Sequence, residues 1–132
     1  MSGEVGHFEI PADDPERARK FYSKAFGWTM NQMPGMDYTM VSTGAVDQQG
    51  MPKAPGYIGG GIAKRGPPLE HTVVTIVVDD LEAAEKAVEK NGGKVIQHKT
   101  PVAGGSMGFA AYFKDSEGNT VGLYEWPKNR SQ

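Results

Sequence analysis

Apolar and polar residues alternate over positions 5–10, Val-Gly-His-Phe-Glu-Ile, as they do in a strand with one buried face. A helix follows. Asp14 can accept from the free amides of its first turn, Pro15 suits the first helical position, and Glu16 favours the positive helix end. Ala18, Phe21, Tyr22, Ala25 and Phe26 recur at three- and four-residue spacing, giving one apolar face that Gly27 brings to a close. Strands are expected at 28–33, 38–42 and 57–63, parted by turns rich in glycine and proline.

The second half repeats this order. Residues 71–78, His-Thr-Val-Val-Thr-Ile-Val-Val, are dense in β-branched side chains and read as a strand. Asp80 opens a helix with Leu81, Ala84, Ala87 and Val88 on its apolar face, and Asn91-Gly92-Gly93 closes it. Strands are expected at 94–98, 109–114 and 120–126, with a loop over 100–108 and a turn over 115–119.

The two helix entries superimpose: Ala12-Asp-Asp-Pro-Glu-Arg-Ala-Arg-Lys20 over Val78-Asp-Asp-Leu-Glu-Ala-Ala-Glu-Lys86, 66 residues apart in a chain of 132. A repeat of that length, with one helix and four strands, is a duplicated supersecondary unit rather than a solenoid. The expected fold class is therefore α+β: one domain over 1–132 made of two tandem βαβββ modules, about 1–66 and 67–132. Each module covers one sheet face with its helix, and the other faces of the two curved sheets are expected to enclose a ligand cleft.

Composition narrows the function. A net charge of −2 argues against a nucleic-acid or anionic-membrane partner, and no run of 18 apolar residues is present to span a bilayer. The first residues lack the basic and apolar regions of a secretory signal. With no cysteine, disulfides and thiolate chemistry are excluded, and a cytoplasmic setting is the expectation.

His7 with Asp14 seven residues on, Phe21-Tyr22, Phe26-Gly27-Trp28, Val77-Val-Asp-Asp80, Asn91-Gly92-Gly93 and Asp115-Ser-Glu-Gly118-Asn119 occur in an order and spacing that resembles the vicinal-oxygen-chelate superfamily, over nearly the whole chain. This is the superfamily of glyoxalases, bleomycin-resistance proteins and extradiol dioxygenases. The resemblance implies paired βαβββ modules around a cleft, often in homodimers, hosting lyases, epimerases, dioxygenases or metal-free drug-binding proteins.

The resemblance also implies four metal-ligand positions, two per module. His7 occupies the first. The second, on the fourth strand, falls in Tyr57-Ile-Gly-Gly-Gly-Ile62, which carries no acid; the third falls at Val73 and the fourth at Gly122. Glu125 is three residues beyond Gly122 and so faces the opposite way in a regular strand. One imidazole does not hold a catalytic divalent ion, which normally takes about three protein ligands. The first expectation is thus a protein that binds a small organic molecule in the cleft without the usual metal or other cofactor. Its contacts would be His7, Glu9, Tyr38, Gly59, Gly61, Val73 and Gly122. The alternative is a lyase, epimerase or dioxygenase using iron, nickel or zinc. It requires a shifted fifth strand and a bulged last strand, so that His7, His71 and Glu125 converge.

Other residues carry two readings each. His7 is either a cleft-facing acid, base or hydrogen-bond donor, or a partly buried histidine tied to Glu9. Glu9 is either a ligand contact or a salt-bridge partner. Gly59-Gly60-Gly61 either leaves room for a ligand against the backbone or marks a bulge or a close crossing. Met30, Met33, Met36, Met40 and Met51 suit an adaptable pocket wall or ordinary core filling. Trp28, Tyr38, Phe109 and Tyr124 suit ring stacking on a ligand or simple packing. The loop over 100–108 has the length and glycine content of a lid.

Overall fold

A computed structural model describes residues 3–49 and 51–128. The chain forms two compact units: Gly6–Thr72, and Val73 onward together with the N-terminal segment through Val5. The sequence repeat places the division near residue 66. In the structure, 65–72 stays with the first unit because Arg65 binds back to it: its amide donates to the Ala12 carbonyl and its Nε to Asp13 Oδ1, at 2.9 and 2.8 Å.

The first unit contains β1 (Val5–Ala12), α1 (Pro15–Phe26), β2 (Thr29–Gln32), β3 (Tyr38–Ser42) and β4 (Gly59–Lys64). Its sheet order is β2-β3-β4-β1, with β1 and β4 parallel and the other neighbours antiparallel. The second unit contains β5 (Val73–Val77), α2 (Leu81–Lys90), β6 (Lys94–Pro101), β7 (Phe109–Lys114) and β8 (Thr120–Glu125). Its order is β6-β7-β8-β5, with β5 and β8 parallel. Both units therefore have the βαβββ connectivity that the repeat predicts. The segment before β1 belongs to the second unit through backbone bonds: Gly3 N–H to Val77 O at 2.7 Å, and Val77 N–H to Glu4 O at 2.9 Å.

Both helices start as expected. Asp14 Oδ1 accepts from the Arg17 amide and Asp80 Oδ1 from the Ala83 amide, each at 3.1 Å. Gly27 ends α1 in the left-handed conformation, φ 76°, which glycine adopts without the Cβ penalty. Packing then fixes which sheet face is covered. In the first unit Ala12, Val41 and Ile62 are buried with Phe8, Ile10, Ala18, Tyr22, Trp28 and Met30 around them, and Trp28 stacks on Tyr22 at 4.8 Å. In the second, Leu81, Ala111, Phe113 and Leu123 are buried against Ile76, Val78 and Val88. A fully buried Ile62 or Leu81 contributes about 1.5–3 kcal/mol through removal of its side chain from water.

Two boundaries differ from expectation in ways that bear on function. β5 starts at Val73, leaving His71 exposed in a bend before the strand. β4 starts at Gly59, because the Tyr57 ring lies over Gly44 and its hydroxyl donates to the Ala45 carbonyl. Among the described residues, no helix is long and apolar enough to cross a membrane.

Candidate functional site

Strand parity divides the first sheet into two faces. Phe8 and Ile10 of β1, Ile62 of β4 and Val41 of β3 face α1. The register pairs His7 with Gly59, Glu9 with Gly61, and Met40 with Gly61, so these residues share the opposite face with Tyr38. There the structure brings together five of the seven expected contacts: His7, Glu9, Tyr38, Gly59 and Gly61. Val73 and Gly122 lie in the second unit, on the face of β5 and β8 turned from α2. Gly122 pairs with Thr75, and a side chain at 122 would meet Thr75 Oγ1 at 2.8 Å.

His7, Tyr38 and Glu9 form a hydrogen-bonded chain. Tyr38 Oη donates to Glu9 Oε2 at 2.9 Å and lies 2.9 Å from His7 Nε2. The phenol has one proton, and Glu9 receives it, so Nε2 must be the protonated nitrogen and donate to Oη. Burial pushes the imidazole pKa below its usual 6.5, and the negative charge of Glu9 offsets this only in part. The ring is therefore neutral at pH 7, with Nδ1 carrying a lone pair. Among the described residues no hydrogen-bond partner meets Nδ1. His7 thus offers an acceptor, and Glu9 sets a negative charge behind it.

The glycines serve this chain in a way the sequence did not disclose. A Cβ at Gly61 would collide with the hydroxyl end of Tyr38, and one at Gly60 would meet the Phe8 ring at 2.5 Å on the other face. The room left by the missing side chains is filled by the protein's own aromatic rings. Composition marks Tyr38 as a stacking surface; its hydroxyl as the link between His7 and Glu9 depends on β3 lying beside β4, which only the fold supplies. Thr39, buried on the α1 side, accepts from Arg19 Nη1 at 3.3 Å and was not singled out by the sequence.

Comparison with known proteins identifies the family and the fold. A family profile described as bleomycin resistance protein-like N-terminal matches residues 5–44. A glyoxylase-like domain-containing protein of Didymella fabae is 37% identical over 133 residues, covering 96% of this chain and 97% of its own. The chain belongs to the glyoxalase/bleomycin-resistance family. A putative glyoxylase, CFP32, of Mycobacterium bovis is 31% identical over 92% of this chain, which spans 44% of that longer protein. A methylmalonyl-CoA epimerase, solved with methylmalonyl-CoA and NH4+, shares the fold with TM-score 0.66 at 14% identity, covering the whole of both chains.

Of the four metal-ligand positions that the resemblance implies, the described residues supply a donor only at His7. The one on the fourth strand falls within 57–62, where Gly59 and Gly61 face away from α1, and the two in the second unit fall at Val73 and Gly122. The alternative set His7, His71 and Glu125 requires a shifted β5 and a bulged β8, and the structure has neither. His71 precedes β5 instead of standing on it, and β8 runs without a bulge against β7, so Glu125 turns toward α2. There its Oε1 accepts from the Leu81 amide at 2.8 Å, with the side chain almost wholly buried. Among the described residues no three histidine, aspartate or glutamate side chains group to hold an ion. The residues present do not fit the family's metal.

Proposed function

We propose that this protein binds a small organic molecule on the first unit's sheet face opposite α1, through His7, Glu9 and Tyr38 and without a divalent metal. The observation that carries this reading is the His7–Tyr38–Glu9 chain: three polar side chains held by 2.9 Å hydrogen bonds, with an unmet acceptor at His7 Nδ1. Ligand sites are mostly apolar surfaces with a few placed polar groups, and here Met40 and the bare backbone of Gly59 flank such a group. An acceptor backed by a carboxylate favours a ligand that donates a hydrogen bond, such as a hydroxyl or phenol, over an anion. On the second unit taken by itself, Val73 and Gly122 share the sheet face turned from α2. The epimerase of the same fold, solved with an acyl thioester, supports a small organic ligand in general and does not name this one.

Thermal-shift screening of the whole chain against phenols, thiol conjugates and acyl thioesters, followed by calorimetry, tests the reading. A binder raises the melting temperature by mass action. The shift should be lost in His7→Ala and reduced in Tyr38→Phe. A ligand whose affinity is indifferent to both, or which binds only with added iron, nickel or zinc, would overturn it.

A further inference from the structure

We propose that Asn91, at the end of α2, is a site of spontaneous covalent modification, its side-chain amide being converted to a carboxylate through attack by the Gly92 backbone nitrogen. The site belongs to the second unit, whereas His7, Glu9 and Tyr38 belong to the first. Asparagine is among the thermolabile side chains, and of the chain's four asparagines only Asn91 precedes a glycine. With no Cβ at 92, nothing on that residue crowds its nitrogen as it approaches the Asn91 side-chain carbonyl. Asn31 and Asn119 precede Gln32 and Thr120, which carry side chains and belong to β2 and β8.

The structure leaves both reacting groups lightly held. Asn91 and Gly92 are exposed, and Asn91 caps α2 at φ −105° and ψ 19°. Its Nδ2 donates to the Ala87 carbonyl at 2.8 Å, while the Gly92 N–H meets the Glu89 carbonyl only at 3.5 Å. Closing a five-membered ring requires rotation about the Asn91 Cα–C bond away from that ψ. Gly92, at φ 97°, follows this rotation with no side chain to clash. The Gly92 nitrogen then bonds to Asn91 Cγ, and Nδ2 leaves as ammonia, taking up the proton that the Gly92 nitrogen gives to solvent. Water opens the cyclic imide at either carbonyl. The product is aspartate or, where the main chain is rerouted through the side-chain carbon, isoaspartate.

The consequence falls on the junction of α2 and β6. A carboxylate at 91 cannot donate to the Ala87 carbonyl, and it sets negative charge at the negative end of the helix. Isoaspartate also adds a carbon to the main chain two residues before Gly93, where there is no slack. A Cβ at Gly93 would lie 2.7 Å from the Lys114 carbonyl oxygen and 2.8 Å from Val88 Cγ1. Displacing Gly93 strains the turn into β6, whose Val95 amide donates to Glu89 Oε2 at 2.7 Å.

Ageing the whole chain in mildly alkaline buffer made with heavy-oxygen water, followed by peptide mapping, tests this assignment. The Asn91 peptide should take up the label severalfold faster than those of Asn31 and Asn119. An isoaspartyl methyltransferase should then methylate part of the product. The aged chain should melt at a lower temperature than the fresh one. Asn91→Asp, which changes charge but not main-chain length, should lower the melting temperature by less than isoaspartate does. Asn91→Ser should melt alike before and after ageing. Asn91 converted no faster than Asn31 and Asn119, conversion seen only in denaturant, or an aged chain that melts like a fresh one would each overturn the proposal.

Discussion

The hydroxyl end of Tyr38 lies against the backbone of Gly61, in space that any side chain at 61 would occupy. Gly61 is therefore required by contact and not by backbone conformation, since its φ lies outside the left-handed region. Gly61→Ala should force the phenol from between His7 and Glu9 and destabilise the protein by about 1–3 kcal/mol, the range for overpacking a tight site. In a Tyr38→Ala background the same substitution should cost much less, because the clash is gone. Chemical denaturation of the four proteins in this cycle measures the coupling. Equal costs in both backgrounds would mean that Tyr38 does not sit where the structure has it.

His7 makes stability depend on pH with a defined sign. Its folded pKa is below the unfolded value near 6.5, chiefly through burial, with Glu9 opposing. Between the two values the unfolded chain holds a proton that the folded one does not, so stability rises with pH across that window. The contribution is complete above the unfolded value and is lost as pH falls through 6.5 and past the folded value. Glu9 and Tyr38 are the groups that meet the ring. Denaturant midpoints taken between pH 7.5 and 5.5 should fall more steeply in the wild type than in His7→Gln, which keeps a donor for Tyr38 but does not titrate. Parallel slopes in the two proteins would remove His7 as the source.

Much of the fold was legible because the repeat is written in short-range chemistry. Asp14 and Asp80 sit at matched helix starts, and the caps each makes have the same 3.1 Å geometry. Their replacement by alanine should therefore cost similar amounts, about 1 kcal/mol each, by thermal or chemical unfolding. A cost confined to one site would show that the two units do not use the cap alike. The candidate site was legible only in part. Parity alone put His7 and Glu9 on one face, and it turned Glu125 away from Gly122. The link through Tyr38, from 29 residues beyond Glu9, and the packing of its ring on Gly61 are long-range contacts with no local signature. The start of β5 was also beyond reach, because Thr72 is β-branched like Val73 and no glycine or proline separates His71 from the strand.

Glu125 separates stability from binding. Its carboxylate is buried at the start of α2, where Oε1 accepts from the Leu81 amide and Lys99 and Lys128 lie 3.7 and 3.8 Å away. Lys99 is also held over the Phe109 ring at 4.5 Å, so the carboxylate, the helix start and β6 are tied together. Glu125→Ala leaves the Leu81 amide without its acceptor and should cost about 1–3 kcal/mol, the range for a buried donor left unsatisfied. Glu125→Gln keeps an acceptor for that amide and should cost less. Neither substitution should change the affinity of a ligand that requires His7, nor the response of the melting temperature to iron, nickel or zinc. If Glu125→Gln abolished a metal-dependent stabilisation that His7→Ala also abolished, the carboxylate would have to reach the face opposite α2, and the register of β8 would be wrong.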